Sequence, residues 1–212
     1  MLLVWFAVVR STEQQRSRKA FSLRTIIIGI HNYRDTIGVF PSNAVQDGDP
    51  LSSWRFQLLP FLTSLGPRRP ELGQRWNAPA NSHWRGIILP DFCWDENTNS
   101  SVFMVQPRTG SSRKSNRAAS AEVGPAAQLI LFTTSSTIHW MEPGDVDLRT
   151  ALNGKQPNRE FFVAFLDEEV LLLRTETPLD LLLMCADPKT ASEDHRATLR
   201  TYAIWQSKRQ RN

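Results

Sequence analysis

The chain has 212 residues, of which 41% are hydrophobic and 22% charged, with a net charge of +4. A chain of this size can bury its own core without staples. Its composition excludes wholesale disorder, collagen-like repeats and a many-span membrane protein. The charge is uneven, with 15 basic and 8 acidic residues in 1–120 against 10 and 13 in the remainder. A basic front half suits an acidic surface, or is simply solvated.

Met1 to Val9 is almost entirely apolar and is followed by Arg10. Nine helical residues span only about 14 Å, against a hydrocarbon core of roughly 30 Å. The stretch lacks the charged start and small-residue cleavage site of a signal peptide. It reads as the end of a longer apolar helix. Residues 2–33 are predicted to form one long helix, because Leu23, Ile26, Ile27 and Ile30 recur at helical spacing. Gly38 and Pro41 end it.

Asp47-Gly48-Asp49-Pro50 predicts a turn. A helix over 53–62, capped by Ser52 or Ser53, follows. Residues 64–100 hold several prolines and read as irregular, with one short helix near 80–87. Val102–Val105, Leu129–Phe132 and Thr137–Trp140 read as strands. The Ser-, Arg- and Gly-rich residues 106–126 read as a loop. Asn153-Gly154 signals a turn. Phe161–Leu166 and Val170–Leu173 read as a hairpin around Asp167-Glu168-Glu169. Thr177-Pro178 and Asp187-Pro188 suggest helix starts, giving helices near 178–185 and 188–205. The tail after Lys208 is expected to fray.

Little in the sequence carries chemistry. His31, His83, His139 and His195 form no HxH, HxxxH or HExxH pattern. There is no GxSxG elbow and no glycine-rich phosphate loop. Cys93 and Cys185 form no CxxC, and their pairing is open. Cys185 lies in an apolar run and reads as a buried thiol. Trp54, Trp76, Trp84 and Trp94 alternate with Arg55, Arg75 and Arg85, which allows either a stacking surface for an anionic polymer or a packed core. No catalytic, cofactor-binding or metal-binding residue is assigned, and nucleic acid is not an expected partner.

Several short motifs occur in order. They begin with Gly29-Ile30-His31-Asn32-Tyr33, Asp35-Thr36, Gly38 and Phe40-Pro41. Ser53-Trp54-Arg55 follows, with Leu58-Leu59-Pro60-Phe61-Leu62. Trp76-Asn77-Ala78-Pro79 with Asn81, Phe92-Cys93, Thr133–Ile138, Met141–Asp147 and Phe161–Val170 complete the series. Together they resemble a large bacterial pseudopilin-like family, domain of unknown function 1559, as far as about Ala186.

The resemblance implies a pilin-like α+β fold, with a long N-terminal helix followed by an antiparallel sheet and short helices. It implies residues 1–40 as anchor and spine, 41–186 as the globular domain, and 187–212 as a helical extension. Leu2, Leu3, Val4, Phe6, Val8 and Val9 would make the membrane or filament contact. His31, Asn32, Tyr33, Trp54, Arg55, Pro60 and Asp167 would be structural motif residues. The expected partners are other pseudopilin-like subunits, or copies of the same chain, through the N-terminal helix. The expected place is the inner membrane or envelope with a full anchor, or the cytoplasm if translation starts at Met1.

Three departures from the family pattern stand out. The leader and most of the anchor are missing, as from a misplaced start or a decayed gene. The family's C-terminal signature is His, nine residues, then Asp-Gly, but Pro157 and Glu168 replace its His and Gly around Asp167. Glycine supplies φ > 0 in a tight turn, so Glu168 predicts a wider one. Residues 187–212 extend past the family's usual end. The function expected is a non-enzymatic structural component of the envelope. The alternatives are a soluble binding module for an anionic polymer, or a gene product without function.

Overall fold

A computed structural model describes residues 2–46, 48–62, 70–94, 97–105, 125–153 and 160–207, with side chains described from Thr12 onward. The predicted loop at 106–126 falls almost wholly outside these residues, as do Gly154, Pro157 and the tail beyond Ser207.

Helix α1 runs over Leu2–Ile37, four residues further than its hydrophobic spacing predicts. It ends where Gly38 takes φ 87° and donates its N–H to the Arg34 carbonyl at 2.7 Å. That is the left-handed closure for which glycine is favoured. Ala20, Leu23, Ile26, Ile27 and Ile30 are buried and form the inner stripe of α1.

A small hairpin of β1 (Ala44–Gln46) and β2 (Asp49–Ser52) brackets the predicted turn. Sequence reading missed these strands because they are short and half-exposed. The expected helix over 53–62 is shorter. Helix α2 covers Trp54–Gln57, and a 3₁₀ turn covers Leu59–Phe61. Pro60 has no N–H to return to Phe56, so the α ladder stops there. The short helix near 80–87 is a 3₁₀ turn at Pro79–Asn81 leading into α3 (Ser82–Arg85).

The central sheet is a five-stranded antiparallel meander: β3 (Val102–Met104), β4 (Leu129–Thr133), β5 (Glu160–Phe165), β6 (Val170–Arg174) and β7 (Ala203–Gln206). Helix α4 (Leu148–Asn153) lies between β4 and β5. Helices α5 (Leu179–Ala186) and α6 (Glu193–Thr201) lie between β6 and β7. The α+β expectation therefore holds.

The sheet is covered on both faces. Phe162, Ala164, Leu166, Val170 and Leu172 point toward α1 and its neighbours. Phe161, Val163, Phe165, Leu171 and Leu173 pack instead against Leu181, Leu182, Cys185, Ala186 and Leu199 of α5 and α6. Double coverage explains why β5 and β6 read as unbroken apolar runs rather than as alternation.

Three expectations are corrected. Thr137–Trp140 is not a strand but makes a single bridge, Asn99 to His139. The Trp140 carbonyl accepts instead from Ser53 Oγ and Arg55 Nε. The helix expected at 188–205 is only Glu193–Thr201. Asp187 closes a turn, accepting from the N–H groups of Lys189 and Ala191, and Ser192 is the cap that starts α6. Ala203 and the β-favouring Ile204 and Trp205 then pair with β6 as β7. Finally, Thr177 does not cap α5; the cap position is Pro178, and Thr177 Oγ1 is buried without a partner.

The β5–β6 turn is not widened. Glu168 N–H donates to Phe165 O at 3.0 Å, and Phe165 N–H to Glu169 O at 2.9 Å. Glu168 itself adopts φ 70°. A three-residue loop of this kind places its last residue in the left-handed region. Glu168→Gly is expected to stabilise the protein by about 1 kcal/mol. Thermal unfolding checks this, and the midpoint should rise by roughly 2–4 °C.

Candidate functional site

Most of the motif residues converge on two seats, one beneath α1 and one around α2. Beneath α1, His31 Nε2 donates to the Leu166 carbonyl at 2.8 Å, and Arg24 Nε to the Glu168 carbonyl at 3.2 Å. Both fasten the helix to the β5–β6 turn. Tyr33 hydroxyl donates to Gln57 Oε1 at 3.0 Å and stacks edge-on against Phe61. Asn32 lies on the exposed side of α1. Pro60 sits in the 3₁₀ turn that α1 packs against.

Gly29 faces that 3₁₀ segment closely. A Cβ at this position would lie 2.8 Å from Leu62 Cδ2. The glycine lets the helix approach, at the ordinary cost of glycine within a helix. Gly29→Val is expected to destabilise by about 2 kcal/mol through overpacking. Urea unfolding checks this, and the midpoint should fall at unchanged slope.

Around α2, Ser53 caps the helix by accepting from Phe56 N–H at 3.1 Å and donates to the Trp140 carbonyl at 2.7 Å. Trp54 Nε1 donates to Asp145 Oδ1 at 3.2 Å, and Asn43 Nδ2 to Asp145 Oδ2 at 2.6 Å. Arg55 is wholly buried. Its guanidinium donates to the carbonyls of Trp140 (3.0 Å), Val102 (3.4 Å), Glu142 (3.5 Å) and Gly144 (2.9 Å). It also stands 3.7 Å from the Asp145 carboxylate and 5.2 Å from the rings of Trp54 and Phe103. Burial pulls its pKa down to about 10, against the opposing pull of Asp145, so it remains a cation at neutral pH.

The tryptophans are mostly core. Trp54, Trp84 and Trp140 are buried, while Trp76 and Trp94 are half-exposed. Trp76 stacks on His139, which stacks on Trp140. Arg75 pairs with Asp49. Trp54 and Arg55 thus belong to the packed interior, not to a stacking surface.

A third cluster closes the sheet's far side. Asp167 accepts from Arg196 at 2.7 Å. Glu169, only 2% exposed, accepts from Arg200 at 2.8 and 2.7 Å and from Gln206 at 2.7 Å, with Arg196 at 3.3 Å. Glu193 bridges Arg196 and Arg200. The carboxylates raise the pKa of both arginines. Sequence reading missed Arg196 and Arg200 and placed Asp167 and Glu169 only at the hairpin tip, since the arginines lie 29 and 31 residues from the carboxylates they hold. Asp145 was visible only as part of a motif.

The remaining histidines and both thiols are engaged or enclosed. His139 Nε2 donates to the Arg85 carbonyl, and its Nδ1 accepts from Met141 N–H. Burial lowers its pKa. His195 donates to the Thr190 carbonyl, and His83 packs against Trp84. Among the described residues no cluster could hold a metal ion. Cys93 and Cys185 are free and lie in cores on opposite faces of the sheet. Burial pushes both thiols up to about 11. Neither is expected to react with Ellman's reagent in the native protein, and both should react in denaturant.

Residues 22–127 match the family model described as "Protein of unknown function (DUF1559)". The chain belongs to this family. The DUF1559 match takes in the N-terminal partners of both seats, from Arg24 to Tyr33 and from Asn43 to Leu62, and it ends before Trp140–Asp145 and the β5–β6 turn. No curated protein and no solved structure matches the chain. Leu2, Leu3, Val4, Phe6, Val8 and Val9 lie on α1, but their side chains fall outside the described residues. Among the described residues no helix is long and apolar enough to cross a membrane.

Proposed function

We propose that this DUF1559 protein is a non-enzymatic, pseudopilin-like structural component of the cell envelope, and that it assembles through α1. The observation that carries this reading is the outer face of α1. Its inner face is consumed by the sheet and the 3₁₀ turn, yet Phe21 and Ile28 stand 69% and 45% exposed on the opposite side. They are seven residues apart and so share one face. Two large apolar residues there suit a second helix of the same kind. The apolar run Leu2–Val9 extends this helix toward the N-terminus. A helix of 36 residues is about 54 Å long, suited to a spine.

The motif residues support a structural role. His31, Trp54 and Arg55 spend their polar groups on backbone and side-chain partners within the fold. Fractionation of source cells with peptide mapping tests the reading. It expects the protein in the membrane or envelope fraction, in complexes larger than a monomer. A wholly soluble monomer would contradict it.

A further inference from the structure

A groove of about 250 Å³ runs between the first turns of α1 with described side chains and the face of the sheet. Its rim carries Arg16 and Lys19 from α1. Its floor is Phe162 and Leu172, with Trp94 as one wall. Ser101 Oγ accepts from Trp94 N–H, and Thr133 Oγ1 accepts from Phe162 N–H, so each hydroxyl proton is left to donate outward. Both residues are 6% exposed. The Trp94 indole N–H is buried and has no acceptor. A buried donor without an acceptor is destabilising, and an oxygen brought to it would offset that cost.

The carboxylate within this groove is Glu160, which meets Arg16 at 3.5 Å. Both side chains are substantially exposed, and an exposed pair of this kind contributes little to stability. Arg16 can therefore exchange Glu160 for another carboxylate at little cost. Lys19 Nζ rests 5.0 Å above the Trp94 ring, held over the groove.

We propose that this groove binds a small carboxylate with an apolar body, its oxygens toward Arg16, Lys19 and the inward hydroxyls, its hydrocarbon on Phe162 and Leu172. The site is separate from the outer face of α1 and does not depend on assembly there.

Isothermal titration with hexanoate, and with inorganic phosphate as the comparison anion, tests it on the full chain. Hexanoate should bind saturably and more tightly than phosphate. Lys19→Gln should weaken hexanoate about fivefold, and Glu160→Gln, which frees Arg16, should tighten it by a similar factor. Trp94→Phe should weaken it while retaining the aromatic wall. Both charge changes are at the protein surface, so folding is preserved. Three results would overturn the proposal: no saturable binding, affinity indifferent to both charge variants, or phosphate bound as well as hexanoate.

Discussion

Arg55→Met is expected to lower the unfolding free energy by about 3–5 kcal/mol, and the thermal midpoint by roughly 10 °C. The cause is not the loss of one ion pair. Asp145 keeps the Trp54 and Asn43 donors when Arg55 is gone. Arg55 donates to four carbonyls; Trp140 keeps Ser53 and Val102 keeps Ser100 as a second donor, so the loss falls hardest on Glu142 and Gly144. Each buried acceptor left without its donor adds its own penalty. Arg55→Lys separates charge from shape. Lysine keeps the cation but cannot present five donors in a planar fork. It should still cost about 2 kcal/mol. Wild-type stability in the lysine variant would mean that charge alone is needed, and the fork would have no role.

Arg196→Met should have the second largest effect, about 3 kcal/mol by chemical denaturation. Arg196 is 4% exposed and holds Asp167 at the β5–β6 turn, Glu169 at the start of β6, and Glu193 at the start of α6. Its removal leaves two carboxylates of the turn close together, with Arg200 as the neighbouring cation on Glu169. Amide exchange should show the damage in α6 and β7 rather than in α1. Uniform loss of protection across the chain would contradict this placement. The pH behaviour has a defined sign. The carboxyl of Glu193 is held below its ordinary value by Arg196 and Arg200, against its own desolvation. Its support is present above about pH 4.5 and is lost as pH falls through the depressed value. Both arginine values are raised, so their support persists through neutral pH.

Much of the fold was legible in the sequence where pattern and chemistry agreed. Ile26, Ile27 and Ile30 marked the inner stripe of α1, and the apolar runs at 161–166 and 170–173 marked the central strands. What was lost had local causes. Thr137–Trp140 has strand propensity, but its pairing with 98–100 stops after one bridge, and the Trp140 carbonyl is taken by Ser53 and Arg55, some 85 residues away in sequence. Ala203–Trp205 reads as helix because the preceding residues are helical; only the open edge of β6 makes Ala203–Gln206 a strand. The Glu168 turn kept its tight geometry because Arg24 and His31 clamp the carbonyls of Glu168 and Leu166 from α1. Such long-range constraints override a single residue's preference. The α2 seat was partly legible through Ser53-Trp54-Arg55, while the Arg196 cluster was not: Glu193, Arg196 and Arg200 have helical spacing, but Asp167 and Glu169 reach them only through the fold.

The account's central claim is that copies or relatives of this chain meet along the outer face of α1. Its most direct test is cysteine cross-linking in intact cells with Phe21→Cys and Ile28→Cys, using Ile88→Cys on the head as the comparison. Cys93 and Cys185 are buried and contribute little background. The account predicts cross-linked species at Phe21 and Ile28 and none at Ile88. Monomer alone at both helix positions, with the protein present and folded, would contradict it.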